Sequence, residues 1–150
     1  MIKLVKVSPA MQAIFAELVE ESLSEMPPDP FQTSQDSVAW LVFLDNEPIG
    51  YASCHSIDWV SRRGRGGTWV KAEARGNGVG KEATRLLHEC VFGELNLRRM
   101  EGAVESSNHP QRHILESLGM KYEGELQDAT WFAGKYRTYS IYALVRKEVS

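Results

Sequence analysis

One stretch limits the fold more than any other. Residues 68 to 72 read as a β-strand, with Trp69 and Val70 suited to a pleated, half-buried surface. Arg75-Gly76-Asn77-Gly78-Val79-Gly80 follows. From there apolar residues recur at helical spacing: Val79, Ala83, Leu86, Leu87, Cys90 and Val91. The pattern predicts a strand, a glycine turn and a helix in direct succession, the helix running to about Gly93. Glycine lets a backbone approach a ligand closely and adopt φ > 0. The first turn of a helix leaves four N–H groups unpaired at the positive end of its dipole. The loop is therefore a candidate anion seat, and a pyrophosphate fits it. Arg75 and Lys81 stand ready to add charge.

Two well-defined phosphate loops do not fit this run. A nucleotide P-loop ends in Gly-Lys-Ser/Thr. Here Gly80-Lys81-Glu82 lacks the hydroxyl that would hold magnesium. A dinucleotide fingerprint needs Gly-x-Gly-x-x-Gly near a first strand. Gly76-x-Gly78-x-Gly80 has other spacing and sits mid-chain, after three strands.

The rest of the chain supplies the frame. Ile2 to Val7 alternate as a half-buried strand. Ser8 and Pro9 read as an N-cap and first helical position, opening a helix to about Ser22 with Met11, Ile14, Phe15, Leu18 and Val19 on one face. Pro27, Pro28 and Pro30 end it, and residues 24 to 36 form a polar loop carrying Glu25, Asp29 and Asp36. Strands are predicted at 38–44 and 49–57, joined by the turn Asp45 to Pro48. Ser61 to Gly67 is a break, read as a solvated hairpin loop. After the glycine loop and its helix come a strand at 98–105 and a short helix at 109–117 capped by Asn108. A short strand at 122–126, a turn over 128–135 and a final strand at 136–146 close the chain. The order is β-α-β-β-β-α-β-α-β-β, with no repeat and no linker, so residues 1–150 are read as one α/β domain.

Bulk properties exclude several classes. With 150 residues, 43% hydrophobic and 25% charged, the chain has the composition of an ordinary globular domain. Net charge is −3, and the one basic cluster, Arg62, Arg63 and Arg65, is too small for a nucleic-acid stripe. Two distant cysteines, Cys54 and Cys90, make no disulfide framework. His109 and His113 share a helix face without a third ligand, so no metal is expected. No apolar run reaches the roughly 20 residues of a membrane span. The short alternating start is no signal peptide, and the expected location is cytoplasmic.

The loop resembles the acyl-CoA loop of the GCN5-related N-acetyltransferase (GNAT) superfamily, Arg/Gln-x-x-Gly-x-Gly/Ala, matched by Arg75, Gly78 and Gly80. The wider run from Trp69 to Ala83 is similar to the branch that acetylates ribosomal-protein N-termini. That branch has Pro where Ala72 stands. Asn108, Leu118-Gly119-Met120, Glu123-Gly124, Gly134-Lys135-Tyr136 and Tyr142-Ala143-Leu144 resemble its later landmarks. The resemblance spans nearly the whole chain. It implies a mixed, mostly antiparallel central sheet flanked by helices, with acetyl-CoA as cosubstrate. Small-molecule and toxin-modifying enzymes also belong to this branch.

The implied reaction is direct attack of a primary amine on the thioester, without an acyl-enzyme, so Cys54 and Cys90 need no catalytic role. Such transfer needs a polarised carbonyl, a neutral amine and a stabilised thiolate. By resemblance the Val70 amide makes the oxyanion contact. Backbone of Trp69, Val70 and Lys71 bonds the amide arm, and the pyrophosphate lies over Gly76, Asn77, Gly78, Val79, Gly80 and Lys81. Asn108 both caps its helix and touches the arm. Where the branch has a serine three residues after the asparagine, this chain has Gln111, which can hydrogen-bond to sulfur but cannot deliver a hydroxyl proton. Glu73 and Asp58 are candidate bases through water. Tyr142 either packs in the core or turns its hydroxyl to the cleft. The expected partner is an amine, small molecule or peptide N-terminus, drawn by the acidic loop at 24–36. Nucleic acid and membrane are not expected, and a homodimer is allowed. A binding-only acyl-CoA sensor is the alternative that Gln111 favours.

Overall fold

The computed structural model describes residues 1–27 and 36–146. Its strands form a seven-stranded sheet, β1 (Ile2–Lys6), β2 (Val38–Leu44), β3 (Glu47–Asp58), β4 (Arg63–Val70), β5 (Arg99–Glu105), β6 (Lys121–Phe132) and β7 (Lys135–Val145), in the spatial order 1-2-3-4-5-7-6. Every neighbouring pair is antiparallel except β4 and β5. Those two are parallel because a helix carries the chain between them. The mixed, mostly antiparallel sheet and the predicted element order are thus present.

Among the described residues three α-helices cover the sheet. Pro9–Met11 forms a 3-10 turn that runs into α1 (Gln12–Ser22), and the Ser8 side chain makes no capping bond. α2 (Val79–Phe92) and α3 (His109–Ser117) follow β4 and β5. α1 lays Leu18 against Leu41 and Trp69. On the other face, α2 buries Ala83, Leu87 and Val91 against Trp40, Val42, Ala52 and Val70. α3 places Leu115 on Val104, Met120 and Tyr142. Met100, in the α2 cluster, and Val104, in the α3 cluster, are four apart on β5, so α2 and α3 share one face.

Two expectations are corrected. β4 begins at Arg63, well before Thr68, and the glycines read as a loop lie within a strand. A Cβ at Gly64 would stand 2.5 Å from the Cys54 sulfur, and one at Gly66 would stand 1.9 Å from the Ser53 carbonyl oxygen. Here glycine allows strands to lie tightly together. The second correction concerns β6, which runs on to Phe132. The turn is only Ala133 and Gly134, both at positive φ (50° and 83°), as a two-residue hairpin requires. β6 is an edge strand with most of its side chains exposed, so its polar stretch read as turn; a register shift between Leu126 and Thr130 interrupts its ladder.

The basic cluster is likewise absorbed. Arg62 donates to Asn96, Arg63 lies 3.8 Å from Asp58, and Arg65 pairs with Glu101 at 2.6 Å.

Candidate functional site

The site follows from one interruption of the sheet. β4 and β5 pair only where Arg63, Gly64 and Arg65 face Arg99, Met100 and Glu101. Both strands continue past that crotch, to Val70 and Glu105, without pairing to each other. The opening is a cleft of about 590 Å³, within the size range of small-ligand sites.

Backbone groups line its two edges. In an antiparallel ladder, alternate residues turn their N–H and C=O toward the partner strand. The Lys71 amide donates to the Ile49 carbonyl, so Val70, opposite Gly50, faces away from β3 and into the opening. Thr68 does the same two residues earlier. Across the gap, the Ser106 amide donates to Thr138 and the Arg146 amide to Arg98, a phase that turns Ala103 and Glu105 inward. The Glu105 carbonyl is already taken by the Asn108 amide. Two strand edges with unspent peptide groups are a template for a ligand that carries amides of its own. Of the three residues expected to bond an amide arm, only Val70 has this orientation.

The glycine loop forms the rim. Gly78 caps α2 at φ 76° and has no side chain to satisfy the first amides. The Val79 amide donates to Gly76 and the Glu82 amide to Gly78, leaving Gly80 and Lys81 as first-turn donors without an intrahelical acceptor. Gly76 and Gly78 need glycine for their positive φ, and Asn77 takes φ 52°, which asparagine tolerates. Gly80 differs from them. It has no positive φ, and a Cβ there would meet nothing within 4 Å. Neither backbone nor packing asks for glycine at this position.

Arg75 behaves differently from expectation. Its Nε donates to the Val70 carbonyl at 2.9 Å, and its guanidinium lies over the Trp69 ring and is bound by the Glu25 carboxylate. The Trp69 indole also donates to Glu25, at 3.2 Å. The Arg75 hydrogen bond is the main influence holding the Glu25 carboxyl below its usual pKa. Arg75 therefore spends its charge on the protein, while Lys81 stays exposed. Glu25 is not a free carboxylate on an acidic rim. Asp29 lies outside the described residues, and Asp36 has an interaction of its own.

The remaining candidates divide by position. Asn108 and Gln111, at the start of α3, line the cleft, and Asn108 Oδ1 accepts from the Gln111 amide at 3.2 Å. Glu73 is exposed on the 3-10 turn Ala72–Ala74 and does not line the cleft. Asp58 caps its own turn, accepting from the amides of Val60 and Ser61. Tyr142 is wholly buried, its hydroxyl donating to Glu116 at 2.7 Å and accepting from Arg112 at 3.1 Å, and burial raises its pKa. Tyr139, three residues earlier, is the tyrosine that lines the cleft. Cys54 is buried with its thiol pushed up to about 12, and Cys90 packs at the core margin. Among the described residues no group of His, Cys, Asp and Glu forms a metal site, and no helix is long and apolar enough to cross a membrane.

Sequence reasoning missed several cleft residues, Glu105, Arg137 and His88 among them. Glu105 is paired with Arg137 at 2.9 Å, and both line the far wall. His88, on α2, is buried in the lining, and burial pulls its pKa down to about 4. It sits four residues after Thr84 and eight after Gly80, a helical spacing that would have placed all three on one face.

Comparison with known proteins agrees with this architecture. A family model described as an acetyltransferase (GNAT) domain matches residues 10–121. The chain belongs to the GNAT acetyltransferase family. It is 30% identical over 107 residues to the "Putative ribosomal N-acetyltransferase YdaF" of Bacillus subtilis, covering 71% of this chain and 58% of that one. It is also 30% identical over 103 residues to a spermidine N(1)-acetyltransferase of Escherichia coli, covering 69% of this chain and 55% of the relative. The match thus spans little more than half the length of these curated relatives. In structure it resembles the spermidine/spermine N-acetyltransferase SpeG of Vibrio cholerae, with a TM-score of 0.80, 17% identity, and coverage of 96% and 92% of the two chains. A dodecameric form of the Vibrio cholerae spermidine N-acetyltransferase gives 0.80 at 16% identity, covering 96% and 93%.

Proposed function

We propose that the protein transfers an acetyl group from acetyl-CoA to a primary amine by direct attack. The observation that carries this reading is the parting of β4 from β5 directly beside an open helix N-terminus. The cleft edges at Thr68 and Ala103, with the Val70 N–H, offer peptide groups to an amide-bearing arm, the Val70 carbonyl being taken by Arg75, and the Gly80 and Lys81 amides offer donors to a pyrophosphate. The Val70 N–H is oriented to polarise the thioester carbonyl, an oxyanion-type contact. In this reading Gln111, which lines the cleft beside Asn108, hydrogen-bonds the departing sulfur. Glu73 and Tyr142 have no part in this account, since neither lines the cleft.

For the acceptor we favour a small-molecule amine over a peptide N-terminus. The relatives named for spermidine support the first choice and the one named for ribosomal acetylation the second. The acidic loop no longer carries this preference, because Glu25 is already bound by Arg75. We place the enzyme in the cytoplasm and allow it to self-associate, as its dodecameric structural neighbour does. The test is amine-dependent release of free thiol from acetyl-CoA with spermidine, other polyamines and peptides bearing a free N-terminus. We expect turnover with at least one polyamine. Tight acetyl-CoA binding with no thiol release on any amine would replace the enzyme by a binding-only sensor.

A further inference from the structure

Deep in the cleft the chain keeps a polar group that its own fold does not use. His88 is only 8% exposed. Its ring approaches Phe92 at a tilt, centroids 6.3 Å apart, and it makes no hydrogen bond to any described residue. A buried imidazole left so is costly unless something satisfies it. Among the described residues no sealed side-chain nitrogen or oxygen lacks a partner, so the ring nitrogens of His88 are not sealed off, and the residue lines the cleft.

Its place along α2 is informative. Gly80, Thr84 and His88 follow one another at four-residue steps, and all three line the cleft. Thr84 is spent locally, donating to the Gly80 carbonyl at 2.8 Å and sharing a hydrogen bond with Thr68 at 2.9 Å. His88 lies two turns beyond Gly80, about 12 Å along the axis at ~1.5 Å per residue. A ligand anchored by its phosphates at Gly80 meets His88 only with a part that reaches well down the cleft. Gly66 and Gly102, each just past the last β4–β5 pair, line the same cleft.

We propose that His88 binds the acyl-CoA directly, with its neutral imidazole hydrogen-bonding the distal end of the arm, at the last amide or the thioester carbonyl. The proposal rests on the acetyl-CoA reading above and adds a residue to it. The low pKa is consistent, since a group near 4 stays uncharged while it donates from one nitrogen and accepts at the other.

Calorimetric titration of the wild type, His88→Leu and His88→Asn tests this, with acetyl-CoA, CoA and adenosine 3′,5′-bisphosphate as ligands. The bisphosphate carries phosphates but no arm. We expect His88→Leu to fold, to bind the bisphosphate as the wild type does, and to lose about ten-fold on acetyl-CoA. His88→Asn should recover part of that loss. An equal loss on CoA would assign the amide, and a loss confined to acetyl-CoA the thioester carbonyl. Unchanged acetyl-CoA affinity in a folded His88→Leu protein would overturn the proposal, as would an equal loss on the bisphosphate. A wild type that ignores acetyl-CoA overturns the underlying reading and this one with it, whereas a binding wild type with an indifferent variant overturns this one alone.

Discussion

At the rim of the cleft the chain offers backbone, and at the floor it offers a side chain. The rim is exposed, glycine-rich and open around its glycines, for a Cβ at Gly76, Gly78 or Gly80 would meet nothing within 4 Å. The floor is buried and crowded, with His88, Leu87 and Leu115 almost closed to solvent. Substitutions at the rim should therefore change binding and spare the fold. Substitutions at the floor should change both. The two ends of one helix can be told apart by asking which quantity moves.

Gly78→Asp is the largest expected effect and the strongest way to break this contrast. Aspartate takes the left-handed region at a smaller cost than most residues, and there is open space for its Cβ, so the strain at this positive φ is modest. Its carboxylate would stand where an anion is expected. Acetyl-CoA binding should fall below detection by calorimetry, while circular dichroism shows a folded protein and Tm drops by only a few degrees, the cost of a side chain at positive φ. A folded variant with undiminished affinity would remove the phosphate seat from this loop.

At the floor the corresponding handle is pH. Burial lowers the pKa of His88 from 6.5 to about 4. Between those values the unfolded chain binds a proton that the folded chain refuses, so stability rises with pH there. The contribution is fully present above about 6.5 and is lost as pH falls through 4, at most about 3 kcal/mol in all. Glu25, Glu101 and Glu123, whose pKa values are lowered by arginine partners, act in the same direction at lower pH. Urea midpoints of wild type and His88→Leu between pH 4 and 7 isolate the histidine. The Leu curve should be the flatter, and parallel curves would mean that the imidazole is not buried in solution.

Lys81→Ala returns to the rim with a smaller effect. Lys81 is exposed and takes no part in the core, so stability should hold. Removing one ammonium–phosphate interaction near solvent corresponds to about a ten-fold weaker acetyl-CoA affinity. The deficit should shrink as salt is raised. A loss as large as that of Gly78→Asp would mean that charge matters more than loop shape.

The contrast also explains what the sequence made legible. The glycine loop was readable because its signal is local: strand, glycines and helix are contiguous, and Asn108 likewise caps the helix it precedes. The cleft itself depends on where two strands stop pairing, and no residue in Gly66–Val70 announces that. Glycine composition misled at Gly64 and Gly66, where it serves close strand packing. The fate of Arg75 was hidden because its partner, Glu25, is fifty positions away in a loop that looked like a substrate rim. His88 sat in an apolar stripe and drew no attention; only burial without a partner marks it.

Gly80 gives the smallest expected effect and the most diagnostic one, because its two consequences have opposite signs. It is in the first turn of α2, with no positive φ and no crowding around its missing Cβ. Glycine inside a helix costs roughly 0.5–1 kcal/mol relative to alanine, partly through the entropy of the unfolded chain. If only the fold mattered, alanine would be the better residue. Gly80→Ala should therefore raise stability by about 0.5–1 kcal/mol in urea unfolding. The added methyl group would stand over the Gly80 and Lys81 amides, where the phosphates must come close. Acetyl-CoA affinity should fall several-fold in the same protein. A variant that gains both stability and affinity would leave the glycine without a functional reason and would weaken the case for close backbone approach at the rim.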